Sequence, residues 1–258
     1  MNEHSSQYFS KTIEKGFRIL NLFNQDRTSL SLKEISQDIG INKTSAFRFV
    51  NTMVKLGYLK KDPRTRLLKL GPEVISLSYS LMGSFDLLQI IKPPIDDIYK
   101  AYNITIDCAL LDGDKMLLLY QREAKETLTF RLPKVITALN CGALGKAALS
   151  QLPEKEMLAL IEHITLIRKT HNSITSKDDL IADLKKTRKR GYSLNNEEYV
   201  LGLIAIGAPL LNMEANRAIG AISFDFPTTQ YSLNMVVRKY SKIILGLAKD
   251  ISRKMTVE

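Results

Sequence analysis

The segment that most constrains the fold is residues 31–59, in which two helical patterns are separated by a short turn. In the first pattern, Ser31 and Glu34 have the spacing of a capping box, and Gly40 is suited to end the helix. The second pattern covers residues 43–56. Its predicted inward face consists of Ala46, Val50, Met53 and Val54, which recur at helical spacing. Two helices joined by a short turn that contains glycine are typical of a helix-turn-helix motif.

The second helix of this motif has a polar first turn and apolar later turns. In a helix-turn-helix, the second helix enters the major groove of DNA with its N-terminal residues leading, so that end needs donors and cations. Arg48 suits either a bidentate contact with guanine or a clamp on phosphate, and Phe47 suits either a thymine methyl or a neighbouring helix. The predicted DNA-binding residues of the two helices are Ser31, Lys33, Lys43, Thr44, Ser45, Phe47 and Arg48.

A basic hairpin is predicted directly after this motif, in YLKKDPRTRLLKL (58–70). Its turn is DPRT (62–65), a composition that is typical of turns. A basic hairpin that follows a helix-turn-helix is a wing. Arg64 and Arg66 are therefore expected to contact phosphates or the minor groove of DNA.

Two further helices are predicted around the motif and wing. Residues 12–24 (TIEKGFRILNLFN) form an amphipathic pattern that Thr12 can cap. Its predicted apolar face consists of Ile13, Phe17, Leu20 and Phe23. A connecting helix is expected at 73–85, with Pro72 before it. These patterns predict a winged helix-turn-helix domain at residues 1–72 and a linker helix at 73–85.

Basic charge is concentrated in the same part of the chain. The 258 residues include 37 Lys and Arg against 27 Asp and Glu, a net charge of +10. Residues 1–72 alone hold 13 of the basic residues and 6 of the acidic ones. Such an excess favours an acidic partner, and its location favours nucleic acid as the partner of the N-terminal domain.

The cysteine content and the hydropathy of the sequence indicate the cellular compartment of the protein. Cys108 and Cys141 form neither a disulfide framework nor a CxxC pair, which suits a reducing cytosol. The polar N-terminus lacks the apolar core of a signal peptide, and no run of about 18 apolar residues is present to span a membrane. We therefore expect a cytoplasmic protein without a membrane partner.

The remaining residues, 86–258, mix helices and strands without regular alternation. A helix is predicted near 86–101, interrupted or started by Pro93-Pro94, and a hairpin follows around Asp112-Gly113. Further helices are expected at 141–152, 153–164, 176–191 and 233–254, and two long strands at 202–211 and 217–226. This order predicts an α+β chain in which an α/β domain with a mainly antiparallel sheet follows the winged helix-turn-helix.

Seven segments, taken together, are similar to those of a known family. They are TIEKGFRILNLF, LSLKEISQDIGINKTSAFRFVNTMVKLGYL, DPRTRLLKLG, LLDGDK, ALGKAAL, KRGYSLNNEEYVLGL and AISFDFP. In this order and spacing they resemble the IclR family of bacterial transcription regulators, from about Thr12 to the end of the chain. The resemblance implies an effector-binding and oligomerisation domain at 86–258. It also implies a homodimer or homotetramer that binds a double-stranded DNA operator, near-palindromic for a dimer, and represses or activates genes in response to a small molecule.

The resemblance also implies an effector pocket, carried over position by position. Its expected members are Ala143 and Leu144 (backbone), Asn195, Ala205, Ser223 and Asp225, with Asp107 and Asn140 as additions. In family members that bind small keto acids, the positions of Asn195, Ala205 and Asp225 hold Asp, Cys and Ser. A carboxylate at Asp225 would repel an anionic ligand. We therefore expect an effector that is neutral and bears hydroxyl or amide groups, or one that is cationic. The alternative is that Asp225 pairs with a neighbouring Lys or Arg.

Nucleotide hydrolysis is not supported by the residues. GALGKA (142–147) resembles the end of a phosphate-binding loop, but Asn140 replaces the first glycine and Ala147 replaces the hydroxyl that holds Mg²⁺. The helix start nevertheless offers backbone N–H groups that can hold an anionic or carbonyl oxygen. We expect no catalytic residues and no cofactor.

Neither a metal site nor an acid–base pair is expected. Asp107 and Cys108 are adjacent on a predicted strand and so face opposite sides of it, which argues against a shared metal site. Glu197 and Glu198 are interpreted as strand neighbours that point apart. The basic run KKTRKR (185–190) is interpreted as a solvated helix end.

Two other functions stay open at this point. An enzyme or small-molecule carrier with an accessory basic domain would show turnover and no sequence-specific DNA binding. An RNA-binding winged domain would prefer structured RNA.

Overall fold

The structure, a computed structural model, describes residues 9–24, 27–77, 87–125 and 132–255. The chain divides into two compact units, residues 1–85 and 86–258. Of the predicted linker helix at 73–85, residues 73–77 are helical and the rest lies outside the described residues. The predicted three-part division of the chain therefore stays a prediction.

The first unit contains a helix-turn-helix followed by a two-stranded hairpin. Its elements are α1 Lys11–Leu20, α2 Leu32–Ile39, α3 Lys43–Lys55, β1 Leu59–Lys61, β2 Leu68–Leu70 and α4, whose described part is 73–77. The capping box of Ser31 and Glu34 forms as predicted. Gly40 ends α2 with a φ of 72°, a left-handed conformation that glycine adopts without strain. Asn42 caps α3, a role that the sequence pattern left unassigned.

The start of α1 differs from the prediction. Ser10, and not Thr12, caps the helix, because the Ser10 side chain accepts a hydrogen bond from Ile13 N. The helix ends at Leu20, so Phe23 lies beyond it, although Phe23 is buried in the core of the unit.

The predicted apolar face of α1 is partly wrong. Ile19 is fully buried, whereas Ile13 and Phe17 are 60% and 58% exposed. A Cβ added at Gly16 would lie 3.4 Å from Met53 Cε, so α1 approaches α3 along its glycine. This contact turns Ile19 into the core and leaves Ile13 and Phe17 at the edge of the unit.

The second unit is built on one six-stranded sheet. Its strands are β3 Thr105–Asp112, β4 Lys115–Arg122, β5 Val135–Ile136, β6 Ser193–Asn196, β7 Leu203–Asn212 and β8 Arg217–Pro227, in the spatial order β5-β4-β3-β8-β7-β6. Its helices are α5 Leu87–Tyr102, α6 Ala143–Ser150, α7 Glu154–His163, α8 Lys177–Arg190 and α9 Leu233–Lys254. All neighbouring strands of this sheet pair antiparallel. The predicted α+β class with an antiparallel sheet is therefore confirmed.

Helix α5 continues through Pro93 and Pro94, so the prediction that they interrupt or start the helix is wrong. Each proline lacks a backbone N–H and so removes one hydrogen bond of the helix. Ile91 and Ile95 are fully buried on either side of the prolines. Their packing against the sheet offsets the lost hydrogen bonds.

The sheet separates two hydrophobic cores. One contains residues of α5 and α9 with Phe224 and Phe226 of β8. The other contains residues of α6, α7 and α8. Because side chains alternate along a strand, Phe224 and Phe226 face α9 while Ser223 and Asp225 face α6. This alternation positions the polar residues of β8 for the internal site described below.

Candidate nucleic-acid interface and internal cavity

The first turn of α3 is polar and exposed. Asn42 Oδ1 accepts a hydrogen bond of 2.8 Å from Ser45 N and so fixes the start of the helix. Ala46 is fully buried and Val50 nearly so, which orients the helix on the domain. The remaining side chains of the first turns are exposed, apart from the half-buried Ser45. They are Lys43, Thr44, Phe47 and Arg48.

The two cations of this surface have no acidic partner in the part of the chain that the structure describes. The ion pairs formed by the described residues of the first unit are Arg18–Glu14 and Arg27–Asp38. Lys43 and Arg48 therefore keep their charges available to an external anion. Phe47 is 48% exposed, which leaves both of its predicted contacts open.

The wing is held by one carboxylate. Asp62 Oδ1 accepts hydrogen bonds from the backbone N–H groups of Arg64 at 2.9 Å and Thr65 at 2.8 Å. These bonds favour the ionised carboxylate and lower the pKa of Asp62. Arg66 has a φ of 59°, and the side chains of Arg64 and Arg66 are both exposed. The turn thus presents two guanidinium groups to solvent.

The two predicted DNA-binding residues at the start of α2 differ in whether they already form hydrogen bonds within the protein. The Ser31 hydroxyl accepts from Glu34 N at 3.3 Å, and Ser31 N donates to Glu34 Oε2 at 2.7 Å. Lys33 is exposed in the first turn of α2. Ser31 therefore has a structural role in the cap, whereas Lys33 is available for an external contact.

Polar residues form two rows across the second unit's sheet. In the first row, Asn195 pairs with Ala205, Ala205 with Asp225, and Asp225 with Thr105. The second row consists of Ser193, Gly207, Ser223, Asp107 and Gln121. The rows are adjacent, because Ser223 and Asp225 are two residues apart on β8. They form the polar floor on which α6 begins.

A small cavity lies between this floor and the start of α6. It is lined by Leu132, Ile136, Gly142, Ala143, Leu144, Gly145, Asn195, Tyr199, Leu203, Ala205, Ser223 and Asp225. Its volume is about 20 Å³, which is room for about one water molecule. The structure thus brings together six of the eight predicted pocket residues. Asp107 adjoins them beside Ser223, whereas Asn140 does not line the cavity.

Asp107 and Asp225 form a buried carboxyl pair. They are 1% and 6% exposed. Burial raises the pKa of Asp107 well above its usual range, and the nearby carboxylate of Asp225 raises it further. Burial also raises the pKa of Asp225 to about 6, although Ser223 acts in the opposite direction. None of the described Lys or Arg residues forms an ion pair with Asp225, unlike the predicted alternative.

The start of α6 is fitted closely to the sheet. Gly142 caps the helix without a side-chain hydrogen bond. The Ser193 hydroxyl donates to Ala143 O at 2.6 Å. A Cβ on Gly207 would lie 2.7 Å from Ala143 O, so glycine is required for this approach. The backbone N–H groups of the first turn are thereby held at the edge of the cavity.

Comparison with known proteins identifies the family that has this architecture. Residues 79–253 match the sequence model described as the bacterial transcriptional regulator IclR C-terminal domain. Residues 12–63 match the IclR helix-turn-helix domain. The chain belongs to the IclR family. The predicted function is therefore confirmed: the protein is a transcription regulator with a DNA-binding helix-turn-helix domain and a C-terminal effector-binding domain.

Curated relatives of this IclR-family chain are regulators of similar length. The transcriptional regulator XynR of Escherichia coli is 27% identical over 226 residues, which cover 85% of this chain and 87% of XynR. KipR of Bacillus subtilis is 27% identical over 247 residues, which cover 94% of this chain and 97% of KipR. The transcriptional repressor IclR of Escherichia coli is 25% identical over 245 residues, covering 94% of this chain and 89% of that repressor.

Solved structures of the IclR family share the fold. The IclR protein of Thermotoga maritima has a TM-score of 0.69 at 25% identity, covering 95% of this chain and 98% of that one. An IclR homologue of Microbacterium hydrocarbonoxydans, complexed with 4-hydroxybenzoate, has a TM-score of 0.78 at 20% identity, covering 96% of this chain and 100% of that one. None of the described helices of our chain is long and apolar enough to cross a membrane.

A buried ion cluster beside the cavity of this IclR-family protein was not predicted. Lys146 Nζ lies 2.6 Å from Glu198 Oε2 and 3.3 Å from Asp183 Oδ2, and Lys146 is 1% exposed. The lysine that resembled part of a phosphate-binding loop is thus occupied by two internal acids. Burial raises the pKa of Glu198, and Lys146 acts against that rise. Lysine and acids at 146, 183 and 198 form no recognisable sequence motif, so only the fold reveals this cluster.

The prediction that Glu197 and Glu198 are strand neighbours is wrong, because β6 ends at Asn196. Glu197 has a φ of 57° and its Oε1 accepts from Gly202 N at 2.7 Å, whereas Glu198 binds Lys146. The two carboxylates have different partners and form no acid–base pair. Asn195 Oδ1 accepts from Glu198 N at 2.8 Å, which links the ion cluster to the cavity lining.

Asn140 is engaged away from the cavity. Its Nδ2 donates to Ile167 O and Ile174 O at 2.9 and 2.7 Å, and its Oδ1 accepts from Ile167 N at 3.2 Å. These bonds hold the loop between α7 and α8, which is a structural role. Its predicted place in the pocket has no support from this geometry.

The basic run at 185–190 is largely solvated, as interpreted, because Lys185, Lys186, Arg188 and Lys189 are exposed, but two of its arginines also make internal hydrogen bonds. The Arg188 guanidinium donates to Ser150 O and Leu152 O, and Arg190 Nε donates to Tyr192 O. These bonds satisfy carbonyl groups at the end of α6 and after α8. Among the described residues, no group of three or more His, Cys, Asp or Glu is placed to hold a metal ion.

Proposed function

We propose that the exposed first turns of α3 and the tip of the wing are the operator-binding surface. The observation that carries this proposal is the division of α3 between buried Ala46 and Val50 and exposed Lys43, Thr44 and Arg48. A helix placed in the major groove with its N-terminus leading needs this division. Ser31, Lys33, Ser45, Phe47, Arg64 and Arg66 complete the proposed surface.

The proposed contacts are of two kinds: some position the protein on the DNA, and others read the base sequence. Lys43 is a point charge at the helix start and would neutralise a phosphate, which contributes affinity for any DNA. Arg48 lies one and a half turns further on and has a planar fork that matches guanine O6 and N7. Arg64 and Arg66 extend from the wing to phosphates or the minor groove. Sequence preference then depends chiefly on Arg48.

The same unit supports a homodimer. An apolar groove beside α3 is bordered by Ile13, Phe17, Leu56 and Leu77, which are all more than half exposed. Large exposed apolar patches mark sites of association. Ser45 and Arg48 also line the groove and are assigned to DNA, so we assign only its side along α1 to a second copy of the chain. A two-fold pair would present two recognition helices about 34 Å apart to a near-palindromic operator. A homotetramer would contain two such pairs.

The cavity below α6 is the proposed effector site. Its polar residues are the α6 backbone at Ala143 and Leu144, together with Asn195, Ser223 and Asp225. A buried carboxyl at Asp225 disfavours a simple carboxylate ligand, so the effector carries no net negative charge. It acts by binding with different affinity to the DNA-competent and DNA-incompetent states. The protein works in the cytoplasm as a regulator and not as an enzyme, as its regulator relatives support.

The experiment for the DNA-binding function is fluorescence anisotropy of the full-length protein. Two probes are compared over a salt series, the intergenic DNA upstream of the protein's own gene and a scrambled duplex of the same composition. We expect tighter binding to the upstream DNA at every salt concentration. Equal binding to both duplexes that disappears at moderate salt would show phosphate attraction alone and would contradict the proposal.

A further inference from the structure

Among the described residues, no cation forms an ion pair with the carboxyl pair of Asp107 and Asp225. Neither oxygen of Asp107, nor Oδ1 of Asp225, has a hydrogen-bond partner among the described residues, apart from a proton that the two acids can share. Gln121 faces Asp107 from β4 and favours its ionised form, but it is not placed to complete a hydrogen bond. The other charged group that influences Asp107 is Glu123, which is also acidic.

Such a pair is costly to the folded protein. Burying a carboxylate without a cation or a hydrogen-bond donor is unfavourable, so buried acids usually have such partners. Asp225 borders the cavity directly, and Asp107 lies on the neighbouring strand β3, where it pairs with Ser223. A ligand with a positive charge and several N–H donors would supply the partners that the described residues do not. An organic ammonium group has both properties.

The opposite wall of the cavity has the complementary character. Helix α6 begins there with Gly142 as its cap and without a side-chain hydrogen bond to the first turn. The N–H groups of Ala143, Leu144 and Gly145 come at the positive end of the helix dipole, which favours an oxygen acceptor. The space therefore has an acidic side on β8 and an N–H-rich side on α6.

We infer that the effector is a small amino compound with an oxygen acceptor at its other end, such as an amino acid or an amino alcohol. This inference rests on the proposed effector site. The ammonium group binds Asp225 and Asp107, and the oxygen accepts hydrogen bonds from the first turn of α6. Ser223 and Asn195 also line the cavity and offer further polar contacts.

The rest of the lining restricts the shape of such a compound. Leu132, Ile136, Leu203 and the ring of Tyr199 are apolar. The space of about 20 Å³ is smaller than any of these ligands, so lining side chains must move apart when one binds. A short unbranched chain requires the least movement. The inference thus favours compounds of two to about four carbon atoms over ring systems.

A bare metal ion fits the site less well. Ca²⁺ takes six to eight oxygen ligands, and Mg²⁺ demands a complete octahedron. Two carboxyl groups supply few of these, and within the described chain no third His, Cys or acidic side chain joins them as a ligand cluster. The ammonium group needs only the acceptors that are present.

The test uses the full-length protein and matched compounds of equal carbon number. Glycine, β-alanine, 4-aminobutyrate and ethanolamine have both groups. Methylamine to n-butylamine have only the ammonium, and acetate to butyrate only the carboxylate. Each is added at about 10 mM, and both the melting temperature and the affinity for the upstream DNA are measured. At least one compound of the first set should raise the melting temperature by about 3 °C or more, a shift that its single-group counterparts do not reach.

Two substitutions show where the compound binds. Asp225→Asn keeps the shape of the side chain and removes its charge, so it should abolish the shift. Asp112→Asn is the matched control on β3, at an exposed position where Asp112 pairs with Lys115 at 3.2 Å. It should retain the shift. A shift that persists in Asp225→Asn overturns the inference, as does a series in which no ammonium compound has any effect.

The DNA measurement separates this inference from the proposed function. If only the carboxylates stabilise the protein and change its DNA affinity, the effector site stands and the ligand class is wrong. An amino compound that stabilises the wild type but leaves DNA affinity unchanged is no effector and also overturns the inference. If the protein shows no preference for the upstream DNA in all of these conditions, the proposed function itself is contradicted.

Discussion

The ammonium of Lys146 lies 2.6 Å from Oε2 of Glu198, inside the second unit and beside the proposed effector cavity. The pair joins α6 to the segment that follows β6, two parts of the chain that also line the cavity. The bond therefore holds the N-terminal turn of α6 and the loop at 197–202 in a fixed relation.

Lys146→Met should destabilise the protein by about 3 kcal/mol, because the largely buried carboxylate of Glu198 and the partly exposed one of Asp183 are left without their cation. The measurement is urea denaturation at pH 7. Lys177→Met is the control, since Lys177 contacts Glu162 at the comparable distance of 2.7 Å but in an exposed pair. Exposed pairs contribute about 1 kcal/mol or less. Similar losses in the two variants would show that burial of the ion pair is not the reason.

Asp107→Asn should change the pH dependence of stability. The folded pKa values of Asp107 and Asp225 are raised, so the native state binds more protons than the unfolded state above pH 4. Stability of the wild type consequently falls as pH rises through the folded pKa values, of which that of Asp225 is about 6. The variant lacks the part of this loss that Asp107 contributes, so its stability relative to the wild type should increase between pH 5 and pH 8.

Urea denaturation at the two pH values measures this difference, with Asp112→Asn as the control for a change of charge alone. Asp112 is exposed, so its replacement should leave the pH dependence of the wild type nearly intact. A stability difference between Asp107→Asn and the wild type that stays constant with pH would show that the pair carries no extra proton in the folded state.

Gly145→Ala should destabilise the second unit by about 2–4 kcal/mol. An added Cβ would lie 2.5 Å from Leu139 O and 2.6 Å from Leu139 Cα, and backbone atoms cannot yield as a flexible side chain does. Gly246→Ala in α9 is the contrasting variant, because its added Cβ would meet no described atom within 4 Å other than its own stretch of helix. It should stabilise by up to about 1 kcal/mol, the difference in helix propensity. Thermal denaturation of both variants shows whether the loss of stability comes from the close fit of α6 at Gly145 or from replacing any helical glycine.

Arg48→Ala should weaken binding to the upstream DNA by about 1–3 kcal/mol and reduce the preference over scrambled DNA. Lys43→Ala should weaken binding to both duplexes by a similar amount and reduce the slope of affinity against salt. Lys55→Ala removes the same kind of charge from the last turn of α3 and serves as the control. Anisotropy titrations that show unchanged binding for both Arg48→Ala and Lys43→Ala would exclude this docking of α3.

Phe17→Ser should weaken DNA binding about tenfold or more without loss of thermal stability, if a second copy occupies the groove beside α3. The side chain is 58% exposed in the single chain, so its removal opens no internal cavity. Leu158→Ser, on the exposed side of α7, is the control. Analytical ultracentrifugation and anisotropy are the measurements. Normal assembly and normal DNA affinity in Phe17→Ser would place the dimer contact elsewhere.

Local signals in the sequence were sufficient for much of the fold. Helix α2 begins at the capping box of Ser31 and Glu34 and ends at Gly40, and these contacts span no more than four residues. Their spacing alone therefore predicts the helix. The DPRT turn of the wing is closed by Asp62 on its own neighbours, which is equally local. The six cavity residues were a different case, because family resemblance and not any local pattern brought them together in advance.

Other features depended on packing between distant elements. The sequence marks Ile13, Phe17, Leu20 and Phe23 as apolar, but the approach of Gly16 to Met53 decides which side of α1 is buried. Likewise Pro93 and Pro94 break no helix, because the buried residues on either side hold α5 in place. A local pattern carries no information about such contacts, since the partner lies elsewhere in the chain.

The sequence by itself therefore determined the elements, the antiparallel α+β class, the basic helix-turn-helix and the family. Tertiary structure decided which polar groups meet. It brought Lys146 to Glu198 and Asp183, and it placed Asp107 beside Asp225, where none of the described cations pairs with them. The physical reason is that a helix or turn is stabilised by neighbours along the chain, whereas the charge and pKa of a buried group depend on whatever the fold places within a few ångströms of it.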